Sequence, residues 1–169
     1  MLRTRNVLPA LALMSLAGCG GSTGADDPLG PADEVFNATL AGATVVPATT
    51  SASTGSITFE ARDSTLSFKL SVTNMGGITQ AHLHTAAAGA NGATLVWLLP
   101  VNGNNAQSPS VTLDGVISLG DISPSWVRGT PRLAMDSVKA LMRAGRVYVD
   151  VHSSTFTNGE LRGQVVRAP

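Results

Sequence analysis

The sequence predicts an all-β domain, an antiparallel β-sandwich or barrel with one short helix, and three observations carry that expectation. Beyond residue 34 hydrophobic side chains recur at every second position: Leu66, Phe68, Leu70 and Val72 alternate with Ser67, Lys69, Ser71 and Thr73, the pattern of a strand with one face in a core and the other in water. The runs are short and evenly spaced, as in sandwiches and barrels. Turn signals separate them, among them the pairs Asn91-Gly92, Asn102-Gly103 and Asn158-Gly159, whose residues tolerate positive φ.

Taken in order, strands are expected over 35–40, 57–61, 66–72, 78–84, 94–99, 111–118, 146–152 and 161–167. Ile57, Phe59 and Ala61 point one way, and a hairpin through Arg62-Asp63-Ser64 leads to the run from Leu66. The exception is 131–144, where Leu133, Val138, Leu141 and Met142 fall at helical spacing. Thr130 is placed to cap this helix, Pro131 suits its first turn and Gly145 its end.

Ahead of the domain stands an address. Arg3 and Arg5 precede an apolar stretch over 7–17, too short to span a bilayer, and Leu16-Ala17-Gly18-Cys19 follows with the only cysteine of the chain. This is a lipobox. It predicts a signal peptide over 1–18, cleavage before Cys19 and a thioether-linked lipid on that thiol. Two or three acyl chains anchor stably where one does not, at about 0.8 kcal/mol per buried methylene. Residues 19–33, rich in Gly, Pro, Ser and Asp, then form a flexible linker roughly 20 Å in reach, and 34–169 form a single domain. The expected location is the cell envelope, with the membrane as one partner. Gly20 behind the acylated cysteine, with no Asp there, favours the outer membrane where a cell has two.

Composition excludes several classes. The chain carries 11 basic and 11 acidic residues, and loss of Arg3 and Arg5 leaves a slight negative balance with no basic patch for nucleic acid. With Cys19 acylated no thiol remains for a disulfide, so stability has to come from packing. P-loop, G-x-G-x-x-G and H-E-x-x-H patterns are absent.

The three histidines lie in two segments, Ala81-His82-Leu83-His84-Thr85 and Tyr148-Val149-Asp150-Val151-His152-Ser153. Strand residues two apart share a face, with Cα atoms roughly 6.5 Å apart, so His82 and His84 aim together. Val147, Val149 and Val151 form an apolar face and leave Tyr148, Asp150 and His152 on the other. If these strands are neighbours, His82, His84 and His152 meet as copper or zinc ligands; otherwise they bond across a polar sheet face to Asp150, Thr85 or Ser153. Glu160 and Arg162 also share a face, suited to an ion-pair lattice or to contact with an anion or peptide through the Arg162 fork. Trp97 and Trp126 suit core or edge packing.

The run Gly77-Ile78-Thr79-Gln80-Ala81-His82-Leu83-His84 with Gly89-Ala90-Asn91-Gly92, then Gly145-Arg146-Val147-Tyr148-Val149-Asp150-Val151-His152, then Asn158-Gly159-Glu160-Leu161-Arg162-Gly163-Gln164, resembles the CHRD domain, first described in chordin and found alone in bacterial lipoproteins. Phe36-Asn37-Ala38-Thr39-Leu40-Ala41-Gly42 with Val46-Pro47 and Thr54-Gly55 resembles its opening pattern. Asp150 and Ser153 depart from the family's more usual Asn and Thr. The resemblance implies an immunoglobulin-like sandwich or barrel and a non-enzymatic module that binds an extracytoplasmic protein or polymer. A weaker likeness is to copper-zinc superoxide dismutase, in which a His-x-His strand and a distant histidine hold copper. It implies the alternative function, an envelope copper or zinc protein with redox capability. The bridging histidine, zinc ligands and disulfide of that enzyme have no counterpart here.

Overall fold

A computed structural model describes residues 32–100, 111–129 and 131–169. Cys19, the linker up to residue 31, Asn102-Gly103 and Thr130 lie outside them. The elements are β1 (Glu34–Ala41), a 3-10 turn (Gly42–Thr44), β2 (Thr54–Arg62), β3 (Thr65–Thr85), β4 (Ala93–Leu99), β5 (Val111–Asp121), a 3-10 turn (Pro124–Trp126), α1 (Met135–Arg143), β6 (Val147–Ser153), β7 (Leu161–Gln164) and β8 (Val166–Arg167). All pairings are antiparallel. Strands β1, β2, β3, β6 and β7 close into a five-strand barrel, with β4 and β5 added along β3 and β8 along β1. The expected all-β fold with one short helix is thus a barrel. Among the described residues no helix is long and apolar enough to cross a membrane.

The period-two alternation explains the core. Ile57, Phe59, Leu66, Leu70, Leu83, Val147, Val149 and Val151 all turn inward and are almost wholly buried, each such burial contributing about 1.5–3 kcal/mol against the disorder of the unfolded chain. The hairpin at Asp63-Ser64 forms as expected, with Asp63 at φ 43°.

Four local expectations are corrected. Segments 66–72 and 78–84 are one strand of 21 residues; Asn74 at φ 56° and Gly77 at φ 63° form irregularities where the register to β5 shifts, so the polar break between the apolar runs re-aims the strand without ending it. The run 161–167 divides at Val165, whose N–H donates to Val147. The helix begins at Met135 behind Ala134 with no side-chain cap, and Pro131 lies in a preceding turn; burial of Met135, Val138 and Met142 decides where it starts. Its end is as expected: Gly145 at φ 63° donates to Met142 and Arg146 to Leu141, a Schellman stop. Gly92 is not a positive-φ turn residue; it is required instead by close approach, since a Cβ there would fall 1.8 Å from the Thr85 carbonyl oxygen.

Gly163 permits β7 to lie against β1, because a Cβ there would sit 2.4 Å from the Thr39 carbonyl oxygen, whereas one at Gly76 meets nothing. Gly163→Ala is therefore expected to lose about 1–3 kcal/mol in urea unfolding, and Gly76→Ala to change little. Equal stability of the two variants would contradict this account of barrel closure.

Candidate functional site

β3 and β6 are neighbours, with His82 opposite Asp150, His84 opposite Tyr148 and Gln80 opposite His152. Because their apolar alternates fill the barrel, the polar members of both strands share its outer face. All three imidazoles converge on one carboxylate. His82 Nδ1 lies 3.2 Å and His152 Nε2 3.3 Å from Asp150 Oδ1, and His84 Nε2 lies 3.1 Å from Oδ2. The ring centres of His82 and His152 are 4.7 Å apart, those of His82 and His84 5.4 Å. Donor atoms of His82, Asp150 and His152 all fall within 4.8 Å of one another, while His84 joins through the other carboxylate oxygen.

The far nitrogen of each ring fixes its tautomer. His84 Nδ1 donates to the Gly92 carbonyl at 3.0 Å, His152 Nδ1 to the Thr157 carbonyl at 2.9 Å, and His82 Nε2 to the Gln80 amide oxygen at 3.0 Å. A neutral imidazole carries one N–H, so a nitrogen facing Asp150 donates to it only when its ring is protonated, the state Asp150 favours at His152. His82 Nδ1, His84 Nε2, His152 Nε2 and Asp150 Oδ1 are buried with no hydrogen-bond donor. Four acceptors face one another, and an acceptor left so costs about 1–3 kcal/mol. The cluster requires an added proton or a metal cation.

Its electrostatics follow. Burial opposes the charge of Asp150, yet the three imidazoles outweigh it and hold the carboxyl well below its usual 3.8. Burial also lowers His152, but Asp150 lifts it further, for a net rise above 6.5. At His82 burial dominates the attraction of Asp150, and its pKa falls.

Around the cluster the chain builds walls. Trp97, opposite His82 on β4, packs edge-on against it with centres 4.2 Å apart. Tyr148 stacks on His84 at 4.8 Å and 5°, and the Arg162 guanidinium lies 3.6 Å from the Tyr148 ring centre, necessarily on the opposite face. Arg162 also donates to Asn91 Oδ1 at 2.9 Å and the Ala90 carbonyl at 2.7 Å. A cleft of about 270 Å³ opens on His84, Asp150 and His152, between Val45-Val46, Asn91-Gly92 and Thr157-Asn158. A larger hollow of about 480 Å³ borders Thr58, Lys69, Leu119 and Asp121 on another part of the barrel and holds no histidine; the convergence of chemical groups makes the smaller one the candidate site.

The expected surface lattice at Glu160 and Arg162 is corrected. Both are buried; Glu160 accepts from Ser51 at 2.7 Å and Arg162 turns to Asn91 and Tyr148. The segments carrying Ser51 and Asn91 supply their partners and lie over them. Gln80 was legible as the residue two before His82 on the same face, whereas nothing local to Trp97 announces that it meets His82.

In the metal-free protein the two shifted histidines act on opposite sides of their common unfolded value. Folding favours neutral His82, so its contribution is complete above about 6.5 and is lost as pH falls toward its lower folded value. Folding favours charged His152, so its contribution is complete below about 6.5 and is lost as pH rises through its higher folded value. Urea midpoints of metal-free protein are expected to peak near that pH, with His82→Gln flattening the acid limb and His152→Gln the alkaline limb. A midpoint flat between about pH 5 and 8 would contradict these assignments.

Comparison with known proteins returns one family. No curated protein and no solved structure matches the chain. The family model of the CHRD domain matches residues 36–165, from the inward Phe36 of β1 to the Val165 link between β7 and β8, and includes both histidine strands. With the match spanning well over half the sequence, the chain belongs to the CHRD domain family.

Proposed function

We propose that this CHRD domain is a lipid-tethered envelope module that binds one copper or zinc ion through His82 Nδ1, His152 Nε2 and Asp150, with His84 Nε2 completing the donor set. The observation that carries the proposal is the convergence of three buried imidazole nitrogens on one buried carboxylate, with no other group of the protein bonded to them there. Atoms bonded at 2.0–2.1 Å to a tetrahedral ion are about 3.3 Å apart; the imidazole nitrogens lie 3.1–3.3 Å from the Asp150 oxygens, and the His82, Asp150 and His152 donors, within 4.8 Å of one another, would draw together around a bound ion. Hydrogen bonds from the far side of each ring to Gln80, Gly92 and Thr157 are the outer contacts that orient metal-ligating histidines. Three nitrogens and a carboxylate suit zinc or copper(II) over magnesium or calcium. The lipid on Cys19 and the linker would hold this site near the membrane.

A second reading, a non-enzymatic module for an extracytoplasmic protein or polymer, is favoured by Val116 and Leu119, which stay 49% and 60% exposed on β5. Neither reading requires a covalent reaction.

Titration of the full chain in non-ionic detergent with copper(II) or zinc at neutral pH tests the metal site. One equivalent is expected to bind, and copper to quench the Trp97 emission. His82→Ala, His152→Ala and Asp150→Asn are each expected to weaken binding at least about 100-fold. Because the ligand nitrogens must be unprotonated, affinity falls as pH drops through the raised pKa of His152, first among the ligands to compete for a proton. Full metal content in each of these variants would refute the assignment.

A further inference from the structure

We infer that the metal site takes a small oxyanion as an exchangeable ligand from the cleft, with Arg162 as the fixed positive charge that selects it; this rests on the metal reading above. The cleft of about 270 Å³ is lined by three members of the donor set, His84, Asp150 and His152, and by Arg162. It is therefore the solvent route to the ion. Copper(II) and zinc both accept a further ligand beyond such a donor set.

Charge chooses the class of that ligand. Asp150 is the one carboxylate in the cleft lining and Arg162 the one guanidinium, and Asp150 is committed to the histidines. Arg162 is 3% exposed, yet its hydrogen-bond partners are the Asn91 amide and the Ala90 carbonyl, with the Tyr148 face beneath it. No carboxylate among the described residues pairs with it. Glu160, two residues away in sequence, receives Ser51 instead. A buried cation balanced by neutral groups alone is costly. With a divalent ion in place, the ion, Asp150 and Arg162 leave an excess of about two positive charges in a site of low dielectric. A neutral ligand would leave that excess standing, and a cation would add to it.

Shape narrows the class. The guanidinium is held by its two acceptors and by stacking on Tyr148, so it acts on an incoming ligand as a fixed positive charge whose position is set before that ligand arrives. A second hollow of about 300 Å³ also touches Arg162 and shares the Val45-Val46 wall. Asn91, Thr157 and Asn158 supply neutral polar groups at the mouth. The dimensions admit an anion of a few heavy atoms, such as a short carboxylate or bicarbonate, and exclude a folded polymer.

The test uses the copper(II)-loaded full chain in detergent, first assayed for one bound metal per chain, then titrated with sodium acetate and separately with sodium bicarbonate at constant pH and ionic strength. Saturable changes in the copper visible absorption are expected, and the tighter of the two anions identifies the organic or inorganic source. Arg162→Gln is expected to weaken both at least about tenfold, the scale of one charge-assisted hydrogen bond, while one copper per chain is retained. Arg162→Lys should recover part of the loss. Should Arg162→Gln fail to fold, Asn158→Asp, which places a negative charge at the exposed mouth, is expected to weaken both anions. Copper binding with no response to either anion would overturn this inference and leave the metal site standing. An anion response unchanged in the Arg162 and Asn158 variants would overturn the selecting role of the cleft. Absence of stoichiometric copper would overturn both proposals.

Discussion

The pairing of β3 with β6 is the constraint on which the rest of the structure depends. β3 runs for 21 residues and pairs in turn with β2, β5, β6 and β4, so its irregularities at Asn74 and Gly77 govern how the barrel closes and where its second half points. The β6 register puts Val149 opposite Leu83, both inside, and Asp150 opposite His82, both outside. A slip of one residue would exchange these faces, burying a carboxylate and imidazoles in the barrel and exposing the valines. Side-chain alternation of period two makes such a slip prohibitive, so the hydrophobic core and the polar cluster are positioned by the same register.

The cluster is costly to the apo fold. Solvent would satisfy Asp150 and the imidazoles if they were exposed, but Trp97 on one side and the loops carrying Gly92 and Thr157 on the others narrow its access to a small cleft. Those same loops accept the far N–H groups and so direct the lone pairs inward. The convergence of three buried imidazoles on a single carboxylate is what distinguishes this arrangement from an ordinary polar sheet face, and it is the physical basis for assigning it to a proton or a metal cation.

Cover and charge are also linked. Asn91 donates to the Val46 carbonyl at 2.8 Å while accepting from Arg162, which ties the β3–β4 loop to the segment after β1 and to β7. The row of His84, Tyr148 and Arg162 crosses three strands, from imidazole through phenol to guanidinium. Rigidity in that row fixes the position of the nearest positive charge, while His84 is oriented by its own bond to the Gly92 carbonyl. α1 stabilises the opposite region: Lys139 donates to the Asp63 carbonyl and Arg143 pairs with Glu34, fastening the β2–β3 turn and the start of β1.

By itself the sequence determined the all-β class, most strand positions, the single helix with its Gly145 stop, and the separation of Val147, Val149 and Val151 from Tyr148, Asp150 and His152. These follow from local periodicity and turn chemistry, which need no knowledge of distant residues. It also brought His82, His84 and His152 forward as a set, conditional on two strands being neighbours. Only the tertiary structure decided that β3 and β6 pair, that Asp150 lies at the centre of the histidines, that Trp97 borders them, and that Glu160 and Arg162 are buried apart. Spacing along one strand reveals which side chains share a face, but which faces meet, and what covers them, depends on register and loop packing between segments some 70 residues apart, such as Asn91 and Arg162, and local patterns carry no record of that.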